Sequence, residues 1–318
     1  LPGTVYDFFL GKLKEDLYFP AYISISKNGV YDILETYFKQ FARRTIAVHL
    51  SGGLDSSIII GLLHHFGIPF YLVGLVSHRF EFRTEKAIQE KLAPLAIDSF
   101  LIDMDDYPSF SNLSSAPLTQ IPYTTFKALE ATKAIAVKCK ELGADVVFTG
   151  QGGDTLFVDA IPLLPASWSC NIGSEFILYD SADDFYHQNG IDLISPFADK
   201  LFIQAIYSLR VGEKQDHLKK WARVFFADVL PRELVEYTYA ADFFGTSMSG
   251  LESAKPEIEQ LFKTAHEVSG HALFAPASRK KFMAKDVFSF EYQDYIEYGD
   301  VLALAIWYNS LAREGYVQ

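Results

Sequence analysis

The sequence predicts an α/β fold, with a doubly wound, mainly parallel sheet followed by a mostly helical C-terminal part. Three short segments are rich in apolar and β-branched residues, at residues 45–50, 70–76 and 144–149. Strands that are buried on both faces have this composition, and helix-like segments separate them, as in parallel sheets covered on both sides. Beyond residue 160 the pattern is mainly helical and rich in tyrosine and phenylalanine.

The N-terminal region predicts a strand, a turn and a helix. Residues 18–26 alternate apolar and polar positions, which is typical of a half-buried strand, and the sequence Lys-Asn-Gly at residues 27–29 predicts a turn. Residues 31–41 then place apolar side chains at helical spacing, with Asn28 or Asp32 available near the start.

The middle of the chain continues the alternation of strands and helices. Residues 70–76 predict a strand, residues 83–95 a helix and residues 99–103 a further strand. Residues 107–123 contain three prolines and several serines, so we expect a loop over the carboxyl ends of the strands, where ligands bind in open α/β sheets. A long helix is expected at residues 124–142.

The most informative segment is Ser-Gly-Gly-Leu-Asp-Ser-Ser at residues 51–57, between the first apolar strand and an apolar helix. Two adjacent glycines let the backbone approach an anion, three serines add hydroxyl groups, and the helix start directs N–H groups to the same place. No lysine follows the glycines, so this is not a Walker A loop, and an aspartate beside phosphates implies a divalent cation. The expected phosphate-binding residues are Leu50, Ser51, Gly52, Gly53, Leu54, Asp55, Ser56 and Ser57.

This heptapeptide resembles the PP-loop of the ATP pyrophosphatases, which cleave ATP between the α- and β-phosphates. A second glycine turn, Gly-Gln-Gly-Gly-Asp-Thr-Leu-Phe at residues 150–157, follows the strand at residues 144–149. It resembles a loop of the asparagine synthetase C-terminal domain-like family, which includes lasso peptide cyclases and β-lactam synthetases. The resemblance implies that Asp55 and Asp154 hold Mg²⁺ together. It also implies that ATP contacts Val76, Thr149, Gly150, Gln151 and Gly152 besides the first loop.

Two weaker motifs extend the resemblance over about residues 30 to 250. Residues 194–201 are similar to the Pro-Phe-Leu-Asp segment of the family, and Leu230-Pro231 is similar to its Leu-Pro turn. We could not place residues 250–318 in the family pattern. The likeness implies a three-part organisation, with an N-terminal extension or remnant (1–30), a PP-loop ATP-binding α/β core (31–160) and a helical substrate or lid region (161–318).

The sequence departs from the family at three positions with chemical consequences. Gln151 stands where the family most often has glutamate, so the polar contact of this catalytic position is uncharged, and Gly153 stands where serine or alanine is usual. The family also places a catalytic lysine a few residues beyond the Leu-Pro turn. Here Tyr239 or Ala240 occupies that place, so the lysine is either naturally absent or replaced in an inactivated variant.

The resemblance implies an ATP-dependent ligase that adenylates a carboxylate, releases pyrophosphate and transfers the acyl group to an amine. Because the chain begins with leucine, we expect no glutaminase domain in it. The amine is then either ammonia from a partner protein or part of the substrate, as in macrolactam or β-lactam formation. The expected partners are therefore a carboxylate substrate, a small-molecule or peptide amine and a protein that supplies ammonia or presents the substrate.

Two alternatives stay open. The chain could be a catalytically weakened ATP-binding partner subunit of the same fold, which the absent lysine and Gln151 favour and the intact pair Asp55 and Asp154 opposes. It could also be another PP-loop enzyme, such as a tRNA-modifying one, which the formal net charge of −12 and the lack of paired catalytic cysteines disfavour.

Composition limits the cellular context. The two cysteines, Cys139 and Cys170, predict neither a disulfide framework nor a metal pair. No apolar run reaches the roughly 18 residues that a transmembrane helix needs, and the first residues lack the features of a signal peptide. We therefore expect a cytoplasmic protein with no membrane partner, and the acidic charge disfavours a nucleic-acid partner.

Overall fold

The computed structural model describes most of the chain. The described residues are 5–7, 12–14, 26–78, 82–119, 122, 126–158, 185–210, 216–236, 244–287, 290 and 292–317. Tyr239 and Ala240 lie outside the described residues, as does nearly all of the strand expected at residues 18–26.

The described strands form two sheets. A short antiparallel hairpin pairs β1 (Val5–Asp7) with β2 (Lys12–Lys14). A five-stranded parallel sheet has the order β5-β4-β3-β6-β7. Its strands are β3 (Ile46–His49), β4 (Tyr71–Val76), β5 (Ser99–Asp103), β6 (Val146–Phe148) and β7 (Asp192–Ile194).

Helices separate these strands and make up the rest of the described fold. They are α1 (Lys27–Lys39), α2 (Leu54–His65), α3 (Arg83–Leu92), α4 (Leu129–Glu141), α5 (Gly153–Phe157), α6 (Lys200–Arg210), α7 (Lys220–Phe225), α8 (Arg232–Glu236), α9 (Phe244–Ser269), α10 (Pro276–Met283) and α11 (Tyr292–Arg313).

The predicted fold class is confirmed. The three apolar segments of the sequence became the adjacent central strands β4, β3 and β6, and the C-terminal part is helical. Helix α2, which follows β3, is buried on all sides, with Ile58, Ile59 and Ile60 fully shielded from solvent. A helix that is apolar all round is stable only inside a core, and this burial fixes the loop that precedes it.

The turn predicted at residues 27–29 was wrong, because these residues form the first turn of α1. Ser26 caps the helix, since its Oγ accepts a hydrogen bond from Gly29 N at 3.2 Å. The buried face of α1 then includes Val30, Leu34 and Phe38, at helical spacing. This packing outweighs the low helix propensity of the Asn-Gly pair, which was the basis of the turn prediction.

The helix expected at residues 83–95 ends as an α-helix at Leu92 and continues as a 3₁₀ turn, Ala93–Leu95, that contains Pro94. Proline lacks an N–H group and disrupts the preceding helical hydrogen bond, which accounts for the early end. In the predicted loop at residues 107–123, the described part contains no regular element longer than the 3₁₀ turn Leu113–Ser115.

The chain divides into two compact units. The first comprises the described residues within Leu1–Leu101, Cys139–Tyr179 and Gly190–Ala241, and includes most of the parallel sheet. The second comprises those within Ile102–Lys138, Asp180–Asn189 and Asp242–Gln318.

In the second unit, the long C-terminal helices hold the irregular segment that follows β5. Arg313, at the end of α11, donates hydrogen bonds to Ser114 O and Ala116 O, both at 2.7 Å. Glu257, on α9, accepts one from Ser114 N at 2.7 Å. The C-terminal stretch that the sequence left unexplained therefore serves, at least in part, as the frame of this loop.

Candidate active site

The first glycine loop connects β3 to α2 and is closed by its own serines. Gly52 has a φ of +80°, and a Cβ there would lie 2.5 Å from a backbone oxygen of α3, so only glycine fits. Ser51 Oγ accepts a hydrogen bond from Gly53 N at 3.1 Å and lies 2.7 Å from Ser56 Oγ. The buried hydroxyl of Ser57 donates to Gly53 O at 2.7 Å. All three serines therefore shape the loop, and Ser51 is the exposed one.

The second glycine loop, between β6 and α5, lies directly against the first. A Cβ at Gly150 would come within 2.7 Å of Ser56 N, and one at Gly153 within 2.4 Å of Asp55 Cγ. Because β3 and β6 are neighbours in the parallel sheet, their carboxyl ends bring the two loops to the same edge. The glycine at position 153, a departure from the family pattern, is what admits the side chain of Asp55.

The segment similar to Pro-Phe-Leu-Asp supports the second loop from its other side. Thr149 N donates to Ile194 O at 3.0 Å, and Ser195 Oγ donates to Gln151 O. The backbone of Gln151 is thereby tied to the end of β7, and α6 begins at Lys200, directly after the residues Pro-Phe-Ala-Asp.

The two predicted metal ligands converge on a lysine. Lys219 Nζ lies 2.6 Å from Asp55 Oδ2 and 2.7 Å from Asp154 Oδ1. The side chains of Lys219 and Asp55 are 12% and 19% exposed, whereas that of Asp154 is 77% exposed. One acid from each glycine loop thus faces the same cation, with solvent on the side of Asp154.

The environment raises the pKa of both Asp55 and Lys219. Burial raises the pKa of Asp55 and the charge of Asp154 adds to this effect, against the opposing attraction of Lys219. Burial alone would lower the pKa of Lys219, but the carboxylates of Asp55 and Asp154 outweigh it and raise that pKa. Lys219 is therefore held as a cation between the two acids.

The chemistry of this donor set fits Mg²⁺. Asp55 Oδ1 is buried and has no hydrogen-bond partner among the described residues. Such an oxygen is costly unless a cation or a donor satisfies it. Within the part of the chain that the structure describes, no group of three or more His, Cys, Asp or Glu side chains could hold a metal ion. Two carboxylates are nevertheless sufficient, because Mg²⁺ in nucleotide sites is usually held by one or two carboxylates, phosphates and water.

At the neighbouring strand ends, a buried glutamine bridges Leu50 and Leu75, the residue before Val76. Gln89 Nε2 donates to Leu50 O at 3.0 Å and to Leu75 O at 2.7 Å. Gly74 allows the backbone of β4 to lie close to the residue after β3, since a Cβ at Gly74 would lie 2.0 Å from Leu50 O. The carboxyl ends of β3 and β4 are thus fixed beside the first glycine loop.

Sequence reasoning missed Lys219. The family pattern places a lysine after Leu230-Pro231, and the residues at that place in this chain, Tyr239 and Ala240, lie outside the described residues. The lysine at the site instead precedes that turn, in a Lys-Lys pair at the start of α7. The available signal was weak, because a lysine before a short amphipathic helix is usually a solvated surface residue.

A match to a family model supports the resemblance over part of the chain. Residues 38–168 match the family model described as asparagine synthase. Among solved structures, the chain is similar to that of NMN synthetase from Francisella tularensis, with a TM-score of 0.39 and 12% identity, over 69% of this chain and 77% of that one. No curated protein matches the chain.

The matched region contains both glycine loops and the two aspartates that they present. Among the described residues, no helix is both long and apolar enough to cross a membrane. The resemblance found in the two loops is confirmed, because residues 38–168, which contain both of them, match the asparagine synthase family model.

Proposed function

We propose that this protein is an ATP-dependent ligase that adenylates a carboxylate and passes the acyl group to an amine. A carboxylate oxygen of the substrate attacks the α-phosphorus of ATP, and pyrophosphate leaves. The amine then attacks the acyl carbon of the adenylate, AMP leaves with the bonding electrons, and an amide is formed.

The convergence of Asp55 and Asp154 on one cation carries this proposal. Two acids from two glycine loops, beside a lysine, form a set that can hold a metal-bound polyphosphate, since each loop brings its backbone within reach of an anion. Mg²⁺ held by the two carboxylates would neutralise charge on the phosphates.

The residues of the chain then have separate tasks. Gly52 and the first turn of α2 present backbone N–H groups to the departing pyrophosphate, whereas Gly53 N is bonded to Ser51 Oγ. Lys219 supplies the cation that the sequence lacked beyond the Leu-Pro turn, because its ammonium group already lies at the metal ligands. The exposed face of Asp154 leaves this side of the site open to ligands.

The proposal predicts exchange between ATP and radiolabelled pyrophosphate when the correct carboxylate is present, because adenylation is reversible before the amine arrives. The protein is incubated with ATP, Mg²⁺ and a panel of amino acids, small organic acids and peptides with free carboxylates. Formation of AMP and pyrophosphate is expected. Release of ADP and orthophosphate would overturn the reaction class.

Asp55→Asn tests the site itself. The exchange rate should fall about a hundredfold or more, because a charged metal ligand is lost while the shape of the side chain is kept. Asp192→Asn, at the opposite end of the sheet, is the matched control and should leave exchange unchanged. A protein that binds Mg²⁺-ATP tightly but exchanges no pyrophosphate with any carboxylate would favour the alternative of a silent partner subunit.

A further inference from the structure

The backbone of Lys219 adopts an unfavourable conformation, which requires support from its surroundings. Its φ is +50°, in the left-handed region that residues other than glycine, asparagine and aspartate seldom adopt. Strained residues of this kind persist only where the surrounding structure holds them, and they are concentrated at functional sites. The residues that hold Lys219 therefore decide whether its ammonium group reaches Asp55 and Asp154.

One support is the turn that precedes Lys219. The carboxylate of Asp216 accepts hydrogen bonds from Leu218 N at 3.1 Å and Lys220 N at 2.7 Å, and its backbone oxygen accepts one from Lys219 N at 2.9 Å. Asp216 N donates to Val158 O at 2.8 Å, just beyond the end of α5. The turn is thereby attached to the helix that carries Asp154.

The second support is the guanidinium group of Arg223, one helical turn beyond Lys219. Its Nε donates to Leu218 O at 2.9 Å, and its Nη1 donates to Leu234 O in α8. The residue is 9% exposed. Arg223 therefore ties the residue before Lys219 to the helix that follows the Leu-Pro turn, with the two-pronged geometry that only arginine offers.

The segment that follows α7 is fixed against α2, the helix that begins at the first glycine loop. A Cβ at Gly61, in α2, would lie 2.1 Å from Val229 O, so the segment after α7 lies directly on α2. Because α2 also carries Asp55, the distance between Asp55 and the Leu-Pro region is set by backbone contact. Arg223 bridges the remaining gap, between the Leu-Pro region and Lys219.

We propose that Arg223 is a positioning residue that fixes the turn at residues 216–219, so that the ammonium group of Lys219 lies on Asp55 and Asp154. Arg223 makes no hydrogen bond to either acid, and it acts through the backbone oxygen of Leu218. The ion pairs of Lys219 with Asp55 and Asp154 are observed whatever the protein does. Only the reason for placing Lys219 there rests on the proposed function.

The test measures the accessibility of the Lys219 amine and does not require activity. The folded chain is treated briefly with a low concentration of acetic anhydride, and the acetylation of Lys219 is compared by mass spectrometry with that of Lys220. Lys220 is exposed, adjacent in sequence and held by the same helix, so it is an internal standard. In the parent protein Lys219 should be strongly protected relative to Lys220.

Two variants, Arg223→Met and Arg223→Lys, are compared with the control Arg232→Met. Arg232 is 82% exposed at its side chain and pairs with Glu236 on the surface of α8. The ratio of Lys219 to Lys220 labelling should rise about tenfold in both Arg223 variants, the change expected when a charged hydrogen bond is lost from a local opening equilibrium. Arg232→Met should leave the ratio at its parent value.

The possible results separate the proposal from its alternatives. An unchanged ratio in the Arg223 variants would overturn it. Increased labelling of every lysine in both variants would also overturn it, because Arg223 would then support the whole fold and not this turn. A selective increase at Lys219 supports it, even if no carboxylate ever gives pyrophosphate exchange, so its failure and that of the proposed function are distinguishable.

Discussion

The two ends of the parallel sheet use the same kinds of side chains for opposite purposes. At the amino ends of the strands, Arg44 Nη1 lies 2.6 Å from Asp192 Oδ2, and Arg44 Nη2 donates to Asp145 O at 2.8 Å. At the carboxyl ends, Lys219 bridges Asp55 and Asp154 at similar distances. The side chains of Arg44 and Asp192 are 36% and 49% exposed, whereas those of Lys219 and Asp55 are mostly buried.

The difference teaches that the burial of the ion pairs, and not their number, distinguishes the two ends of the sheet. Exposed pairs contribute about 0–1 kcal/mol, because water screens them and their side chains must be ordered. Buried charges are costly to desolvate, so a fold retains them where they do something that an apolar residue could not. The pair at the amino end links β7 to the segment before β3 at the surface, whereas the carboxyl end concentrates buried charge.

The largest effect is expected from Lys219→Met, which leaves two acids facing each other without their cation. Removing one partner of a buried pair is strongly destabilising, so the free energy of unfolding should fall by about 3–4 kcal/mol. The exposed neighbour in Lys220→Met should cost no more than about 0.5 kcal/mol. Urea denaturation of both variants makes the measurement. Equal losses in the two variants would contradict the view that burial separates the site lysine from a surface lysine.

A somewhat smaller effect is expected from Gly52→Ala. The new methyl group would combine a left-handed φ with a backbone clash, so the free energy of unfolding should fall by about 3 kcal/mol. Gly67 is the matched control, because its φ is +66° and nothing lies within 4 Å of its Cβ position. Gly67→Ala should therefore cost only the conformational term, about 1 kcal/mol. If the two variants lost the same stability, the close packing of α3 on the PP-loop would be without consequence.

The strands and the glycine loops were predictable from the sequence, and the start of α1 was not. The apolar strands and the two loops follow from local composition, because a buried parallel strand and a glycine turn each have a characteristic sequence. The turn predicted at residues 27–29 was wrong, because the capping by Ser26 and the burial of one face of α1 outweighed the local Asn-Gly signal.

The candidate site was predictable only where its residues lie in the motifs. Asp55 and Asp154 were found because each lies in a glycine loop, and strand adjacency brings the loops together. Lys219 and Arg223 were not found, because their roles depend on a left-handed backbone and on contacts with residues distant in sequence. No local pattern encodes such contacts.

A pH effect of intermediate size is expected from His49, the last residue of β3. Burial lowers its pKa to about 4. In the unfolded chain histidine takes up its proton at a higher pH, so stability is fully present above about pH 6.5 and is lost as the pH falls toward 4. The loss should amount to about 3 kcal/mol, because each unit of difference in pKa corresponds to about 1.4 kcal/mol.

His49→Leu should remove this slope, and His187→Asn, at an exposed position, should keep it. The measurement is the free energy of unfolding of parent and variants between pH 4 and 7. Comparison with the parent isolates His49, because Asp55, whose pKa is raised, acts in the opposite direction in all of these proteins. If the free energy of unfolding of His49→Leu depended on pH as that of the parent does, His49 at the carboxyl end of β3 would not cause the loss of stability in acid.

The smallest effect is expected at the amino end. Asp192→Asn removes the charge opposite Arg44 but keeps an oxygen that can accept its hydrogen bond, so the free energy of unfolding should fall by about 0.5 kcal/mol. The difference from the parent should vanish in about 1 M salt, where screening acts over about 3 Å, while the affinity for Mg²⁺-ATP stays unchanged. Denaturation at low and high salt makes the test. A salt-independent loss above about 2 kcal/mol would mean that this pair behaves as a buried one, and exposure would then no longer distinguish the two ends of the sheet.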